Sequence, residues 1–190
     1  MTTPDELTPA PLSAEAMRRA MMVGSGVLGV LAMPTAVLLS DSPAVAIITS
    51  ALVMAVIWGA LMWWALRSRT RVLWRQAAQV QVSSAARADG ARRARVRGFV
   101  LSLVISVPMA AMVAFMTALT GQSGLWSFWP GFLLGACLWM ALELRDLTRW
   151  QDEVGREVLL RGDIPWLGGD ARKGGVFVLA DRANTAGTAS

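Results

Sequence analysis

Residues 59–74, GALMWWALRSRTRVLW, and residues 135–150, GACLWMALELRDLTRW, are two versions of one pattern. Each starts in an uncharged apolar run, passes through tryptophan and continues with arginine. Two tryptophans in register are hard to attribute to composition. The pattern predicts that a transmembrane helix twice leaves the apolar phase and continues as a charged helix. The seven identical pairs are Gly59/Gly135, Ala60/Ala136, Trp63/Trp139, Ala65/Ala141, Leu66/Leu142, Arg69/Arg145 and Trp74/Trp150.

The charge distribution indicates a membrane protein. The 190 residues are 55% hydrophobic and 16% charged, against roughly 25% charged in soluble domains. Asp41 is the only charged residue between positions 20 and 66, and none occurs between 98 and 142. Each run is about twice the ~20 residues that cross a bilayer as a helix. We expect an all-α integral membrane protein with four transmembrane helices, at about residues 20–39, 44–66, 99–119 and 125–142.

The first apolar stretch also resembles a secretory signal peptide. Arg18 and Arg19 precede it, and Ala-Val-Ala follows at residues 44–46. The stretch is long for a signal core, and the third span is its counterpart later in the chain. We therefore interpret it as the first span.

The distribution of arginine predicts the topology. Nine arginines lie in residues 67–97, and two more at positions 18 and 19, whereas the turns between paired spans contain only Asp41. By the positive-inside rule the arginine-rich segments, and with them both termini, are cytoplasmic. Arginine far outnumbers lysine and alanine is abundant, which favours a bacterial source and the bacterial cytoplasmic (inner) membrane.

The repeated pattern suggests two tandem two-helix hairpins. The first would cover residues 20–97, including a cytoplasmic helix or loop at 67–97 that breaks at Gly90. The second would cover 98–162, with a cytoplasmic helix at 143–161. Residues 1–19 are expected to be a disordered cytoplasmic lead, although Ser13 could start a short helix there. Alternatively, any helix that leaves a membrane collects Trp and Arg at its end.

The second extension has the charge pattern of a helix. Opposite charges recur four residues apart, as they do on helix surfaces, and Gly162 follows as a cap would. Residues 163–190 are expected to be a mostly irregular tail. The apolar run 176–179 could add to a partner's sheet edge, although we favour one local contact. The predicted pairs are Arg149–Glu153, Asp152–Arg156 and Glu157–Arg161.

Small residues predict how the spans pack. In lipid, close backbone approach at small side chains drives helix association. Small residues four apart lead to a tryptophan in both spans two and four, so we expect these spans to cross near Gly59 and Gly135. Similar ladders occur in span one and span three, and small residues on all four spans suit either a compact bundle or an oligomer. The ladder residues are Ala51, Ala55, Gly59 and Trp63; Ser127, Gly131, Gly135 and Trp139; Ser25, Gly29, Ala32 and Ala36; and Ser102, Ser106, Ala110, Ala114 and Ala118.

Four residues beyond the spans are candidates for binding a partner protein. Trp74 and Trp150 lie about 16 Å beyond the preceding tryptophans of their helices, at 1.5 Å per residue, and a tryptophan in that position needs cover. The cover could be the other extension, a partner or the bilayer surface. Arg67 and Glu143 occupy equivalent positions in the two copies, so they could pair across the bundle.

The composition argues against an enzyme. The chain has no histidine, and its single cysteine, Cys137, lies in an apolar run. No carboxylate lies within a predicted span, and proton relays usually need one there. We expect no cofactor and no metal, and an enzyme acting on lipid is a distant third hypothesis.

The basic cluster Arg92, Arg93, Arg95 and Arg97 has three interpretations. The first is a topology signal, and the second is binding of anionic lipid headgroups. Nucleic acid is not expected, because aromatic residues do not alternate with the arginines.

The leading hypothesis is a non-enzymatic membrane component that scaffolds or assembles a larger complex through its cytoplasmic helices. Other subunits, copies of itself and membrane lipids would be its partners. The alternative is a small homo-oligomeric channel or passive transporter. Its polar lining would come from Thr49, Ser50, Ser102, Ser106 and Thr117.

Overall fold

Four long helices dominate the computed structural model, which describes residues 11–79, 82–160 and 177–181. All four are long and apolar enough to cross a membrane. A short 3-10 helix at Ser123–Ser127 precedes the last of them. The helices are α1 (Ala14–Leu38), α2 (Ala44–Arg75), α3 (Ser84–Thr120) and α4 (Phe128–Val154).

Local sequence signals set the helix ends. Ser13 and Ser83 are N-caps whose hydroxyls each accept a backbone N–H at 3.3 Å, as serine commonly does. Gly121 and Gly155 end α3 and α4 with φ of 69° and 70°, a left-handed conformation that glycine adopts without a Cβ penalty.

The helices are longer than their apolar parts. At 1.5 Å per residue the 37 residues of α3 span about 55 Å, against ~30 Å for the hydrocarbon core. Its first part, residues 84–97, is rich in arginine, and the end of α2 is basic as well. We call the side of the bundle where these segments lie the basic end. The other side, with the connections at 39–43 and 121–127, is the turn end.

Helices α2 and α4 run parallel and approach closely at glycine. A Cβ atom added to Gly59 would lie 2.8 Å from the carbonyl oxygen of Gly135, and one added to Gly131 would lie 2.9 Å from the carbonyl oxygen of Ala51. Ala55 is buried between these contacts. Backbones this close need small residues on both helices.

Helices α1 and α3 form the second close parallel pair. The α3 face buried here has a small residue every fourth position from Gly90 to Ser106. The hydroxyl of Ser102 can donate to two backbone carbonyl oxygens, that of Met21 on α1 at 3.2 Å and that of Gly98 on α3 at 3.1 Å. The predicted ladder continues toward the turn end at Ala114 and Ala118, but both are exposed and do not pack against α1 within this chain.

The order of the helices across the bundle is α2, α4, α1, α3. Helix α1 packs against α4 as well as α3, with Gly29 against Leu134. Helices α2 and α3, all of whose residues are described, do not pack closely together. A two-fold axis between two hairpins would make α1–α4 and α2–α3 equivalent. The bundle departs from that symmetry.

A four-stranded sheet covers the basic end. Its order is β1-β3-β4-β2, with β3 antiparallel to both of its neighbours and β2 parallel to β4. Because β1 directly precedes α1, and β2 and β3 follow α2 and α4, the sheet ties three helix ends together. The strands are β1 (Leu12–Ser13), β2 (Ala78–Gln79), β3 (Arg156–Leu160) and β4 (Phe177–Asp181).

The sheet and the helix ends form a small domain with its own core, which we call the head. Trp74 and Leu147 from α2 and α4 meet Val158 and Leu179 from the two central strands. Ala14, at the start of α1, completes this buried cluster. The head therefore stabilises the relative positions of helices that come from both halves of the chain.

The sheet overturns part of the predicted organisation. The helix predicted for residues 143–161 ends at Val154, where Gly155 turns the chain into β3. The pair Arg149–Glu153 is present at 3.1 Å. Glu157 is in a strand and approaches Arg87 at 3.8 Å, and the other half of its predicted pair, Arg161, lies outside the described residues, as does the predicted cap Gly162.

Three further boundaries differ from expectation. Residues 12–19 belong to β1 and α1, so the disordered lead is wrong for that part, and residues 1–10 lie outside the described residues. Gly90 does not break a helix but is buried within α3 against Pro11. The tail contributes strand β4 to this chain's own sheet. The rest of the predicted tail, 163–176 and 182–190, also lies outside the described residues.

Candidate functional site at the basic end

Two carboxylates on α4 lie where the helix leaves its apolar run. Glu143 and Asp146 are three residues apart, which places them on one face of the helix. Their side chains are only 12% and 15% exposed. A carboxylate removed from water needs a partner, and each has one on a different helix.

Glu143 joins α4 to α1. Its Oε1 accepts a hydrogen bond from the guanidinium of Arg18 at 2.7 Å, and the Arg18 side chain is 11% exposed. The pair predicted between Glu143 and Arg67 is wrong. Arg67 occupies the position equivalent to Glu143 in the other copy of the repeat. The cation that contacts Glu143 is instead Arg18 of α1.

Asp146 joins α4 to α2. Arg67 approaches its carboxylate at 3.1 Å and Arg71 at 3.4 Å. The indole of Trp63 donates to the same carboxylate at 3.2 Å, and the Arg67 guanidinium lies 4.6 Å from the Trp63 ring centroid, within the range of a cation–π contact. Asp146 thus fixes two arginines and a tryptophan of α2.

The two outer tryptophans lie in the head and contact each other. Trp74 is 1% exposed, and its ring centroid lies 5.8 Å from that of Trp150. Of the three forms of cover considered for Trp74, the structure shows the other extension. Trp74 is therefore not available as a surface contact, and Trp150, its partly buried neighbour, supports it from α4.

Two buried donors beside this cluster have no acceptor among the described residues. Trp74 Nε1 and Gln151 Nε2 make no hydrogen bond within the part of the chain that the structure describes, although both residues are only 1% exposed. A void of about 10 Å³ lies between α2 and α4 and is lined in part by Trp74, Glu143 and Asp146. This is close to the ~10–15 Å³ that one water needs.

The other predicted site residues lie in three places. Trp139 packs beside the α1–α3–α4 contact, and Ala55, Gly59, Gly131 and Gly135 lie at the α2–α4 crossing. The four arginines of the basic cluster are on α3, facing outward to different degrees. Arg92, Arg95 and Arg97 are exposed, whereas Arg93 is half-buried and pairs with Asp89 at 3.0 Å.

The site consists of ion pairs between helices, which we call the clamp. Among the described residues no group of three His, Cys, Asp or Glu side chains could hold a metal. The charges at the two carboxylates are balanced by three arginines from two other helices. These pairs join α4 to α1 and to α2 at the point where its apolar run ends.

Sequence reasoning missed Arg18, Arg71, Asp146 and Gln151 as members of this cluster. One signal was present, since two carboxylates one helical turn apart follow a charge-free span. The identity of their partners depends on which face of α4 each neighbouring helix covers, and the spacing of residues along the chain does not give that.

Comparisons of the chain with protein-family models, curated proteins and solved structures gave no match.

Proposed function

We propose that this protein is a non-enzymatic membrane component that uses its head to hold a partner protein at the membrane and so assemble a larger complex. The observation that supports this proposal most strongly is the head itself. Elements from both halves of the chain form one packed unit outside the apolar runs, and five charged side chains and a tryptophan pair join its helices.

The surface that would meet the partner is on α2, next to the buried Trp74. Val72 is 50% exposed and Leu73 is 39% exposed. Arg69 precedes them by one turn and Arg75 follows, both exposed. We call these four residues the α2 head patch. Exposed apolar side chains beside arginines are typical of protein interfaces, and this patch fits an apolar partner segment flanked by carboxylates.

The position of the patch argues for a protein partner over bilayer contact. Helix α2 continues unbroken from its apolar run to Arg75. At 1.5 Å per residue, Val72 lies about 9 Å past Leu66 along the axis. Since Trp74 is buried against α4 and the sheet, the patch faces away from the head's own core.

The arginine content of the head favours a cytoplasmic position, and the excess of arginine over lysine in the chain favours a bacterial cell. The basic end contains the nine arginines of residues 67–97, and the turn end contains Asp41, a distribution that favours a cytoplasmic head. Both termini would then be cytoplasmic. Duplication of a two-helix hairpin is supported by the seven shared residues and by the α1–α3 and α2–α4 pairs. The halves differ in their other contacts, because α1 packs against α4 whereas α2 does not pack closely against α3.

The test is site-specific photo-crosslinking in native membranes. A photoreactive residue at position 72 should give a discrete protein adduct, and Val72→Ser with Leu73→Ser should abolish co-purification of that protein. The matched control is Val154→Ser, another valine on the head surface, 42% exposed on α4, which should leave the complex intact. Crosslinks to lipid alone would contradict the proposal. Solute flux through vesicles containing the purified protein would instead favour the channel hypothesis.

A further inference from the structure

The bundle has an open side within its spans. Helices α2 and α3 both flank α4 near the turn end but do not close over it. On the other side of α4, α1 packs closely through Gly26 against Cys137 and through Gly29 against Leu134. The space between α2 and α3 is a cleft of about 420 Å³.

Every described side chain that lines the cleft is apolar. Trp58 of α2 and Phe132 of α4 meet in its wall, with ring centroids 5.3 Å apart. Four methionines give the wall an adaptable surface, since the unbranched thioether side chain fits irregular shapes. The lining residues are Met54, Trp58, Met109, Met112, Val113, Met116, Leu125, Phe128 and Phe132.

The charge and position of the lining identify the chemistry of an occupant. Met54 and Met112 lie within charge-free runs of α2 and α3, at the depth of the hydrocarbon core. None of the described residues that line the cleft is ionisable. A polar group that entered it would lose its hydration without gaining a partner, at a cost of several kcal/mol. The matching occupant is therefore a hydrocarbon chain.

The volume of the cleft suits an acyl chain better than a helix. A helix with side chains is about 10 Å across, so 420 Å³ would hold only about one turn of it. A chain carbon takes up a volume similar to the ~30 Å³ of a water in the liquid, so the same space holds on the order of 14 carbons. This is close to the length of one membrane acyl chain.

We propose that the cleft binds one acyl chain of a phospholipid as a resident ligand. The chain enters from the leaflet at the turn end, near Leu125, and its methyl end reaches Met54 and Trp58. The headgroup stays at the interface beside the polar turn at 121–123. Because α2, α3 and α4 enclose the chain on three sides, this lipid exchanges more slowly than those around the outer faces.

The test measures lipid retained after detergent exchange. Wild-type protein should keep a stoichiometric phospholipid in native mass spectra. Met112→Trp fills the cleft and should lose it. The matched control, Leu119→Trp, places the same side chain on a 65% exposed position of α3 outside the cleft and should retain it. Equal retention by the two variants, or no lipid on the wild type, would overturn the proposal, as would a dimer joined through this face.

A second measurement does not depend on the folding of a variant. Wild-type protein in vesicles is labelled with a phospholipid whose acyl chain is photoreactive, and the labelled residues are mapped. Labels concentrated on Met54, Trp58 and Met112 support the proposal. Labels spread evenly over outward residues such as Phe115, 62% exposed, contradict it.

Discussion

Replacing Gly59 with alanine tests the contact that joins α2 to α4. The new Cβ would lie 2.8 Å from the carbonyl oxygen of Gly135 and 3.0 Å from the Cβ of Leu138. The first atom belongs to the backbone and the second is bonded directly to it. Neither can move aside as the end of a flexible side chain could. Ordinary contact is at roughly 3.5 Å or more, and the helices must therefore separate by about 0.7 Å at this point.

The size of the effect follows from that displacement. A gap of about 0.5–1 Å forfeits a quarter to a half of the attraction between the facing atoms, and overpacking of this kind costs about 1–3 kcal/mol. Alanine favours the helical conformation over glycine by up to ~1 kcal/mol, which offsets part of this cost. We expect a net loss of about 1–2 kcal/mol in the free energy of unfolding, which corresponds to roughly a five- to thirtyfold change in the equilibrium constant.

The assay is reversible unfolding in mixed micelles, with dodecyl sulfate titrated into a mild detergent and helicity followed by circular dichroism. The matched control is Gly124→Ala, whose added Cβ would lie 3.8 Å from Ser42 Oγ, an ordinary contact. The control should differ little from wild type. If Gly59→Ala is as stable as this control, the α2–α4 crossing is not the close contact described.

Two other substitutions probe the head in the same assay. Trp74→Ala should cost about 3–5 kcal/mol, as expected for a fully buried tryptophan, whereas Trp64→Ala, at a position 73% exposed, should cost far less; equal losses would contradict the core described for the head. Glu143→Gln removes the negative charge that accepts from the nearly buried Arg18 and should cost about 2 kcal/mol. Glu15→Gln, in an exposed pair, should cost under about 0.5 kcal/mol, and a similar cost for both would remove Glu143 from the clamp.

The spans could be predicted because their signals are local. A charge-free run of sufficient length encodes a membrane helix by itself, and the four predicted spans correspond to α1–α4. Small residues at four-residue spacing likewise indicate a face for close packing. They do not indicate how far the partner follows that face. On α3 the buried ladder therefore runs from Ser106 back to Gly90, and Ala114 is exposed.

The head could not be predicted because its cause is not local. Around Gly155 the sequence has opposite charges at helical spacing, and that pattern favoured a continued helix. The strand at 156–160 is stabilised by pairing with Phe177–Asp181. No residue near Gly155 indicates that a pairing strand follows later in the chain. The same reason explains the Glu143 error, since its true partner, Arg18, is separated from it by 125 positions.

The sheet that joins the two ends of the described chain also sets an order of events during biosynthesis. Leu12 pairs with Leu160, and β3 needs Phe177–Asp181 on its other side. Pairings between such distant segments form slowly, and a ribosome delivers the N-terminal strand long before the segments that it contacts. All four spans must therefore enter the bilayer before the head can close. A nascent chain that stops short of residue 177 leaves β3 with an unpaired edge, a feature that proteases and chaperones can recognise as incomplete synthesis.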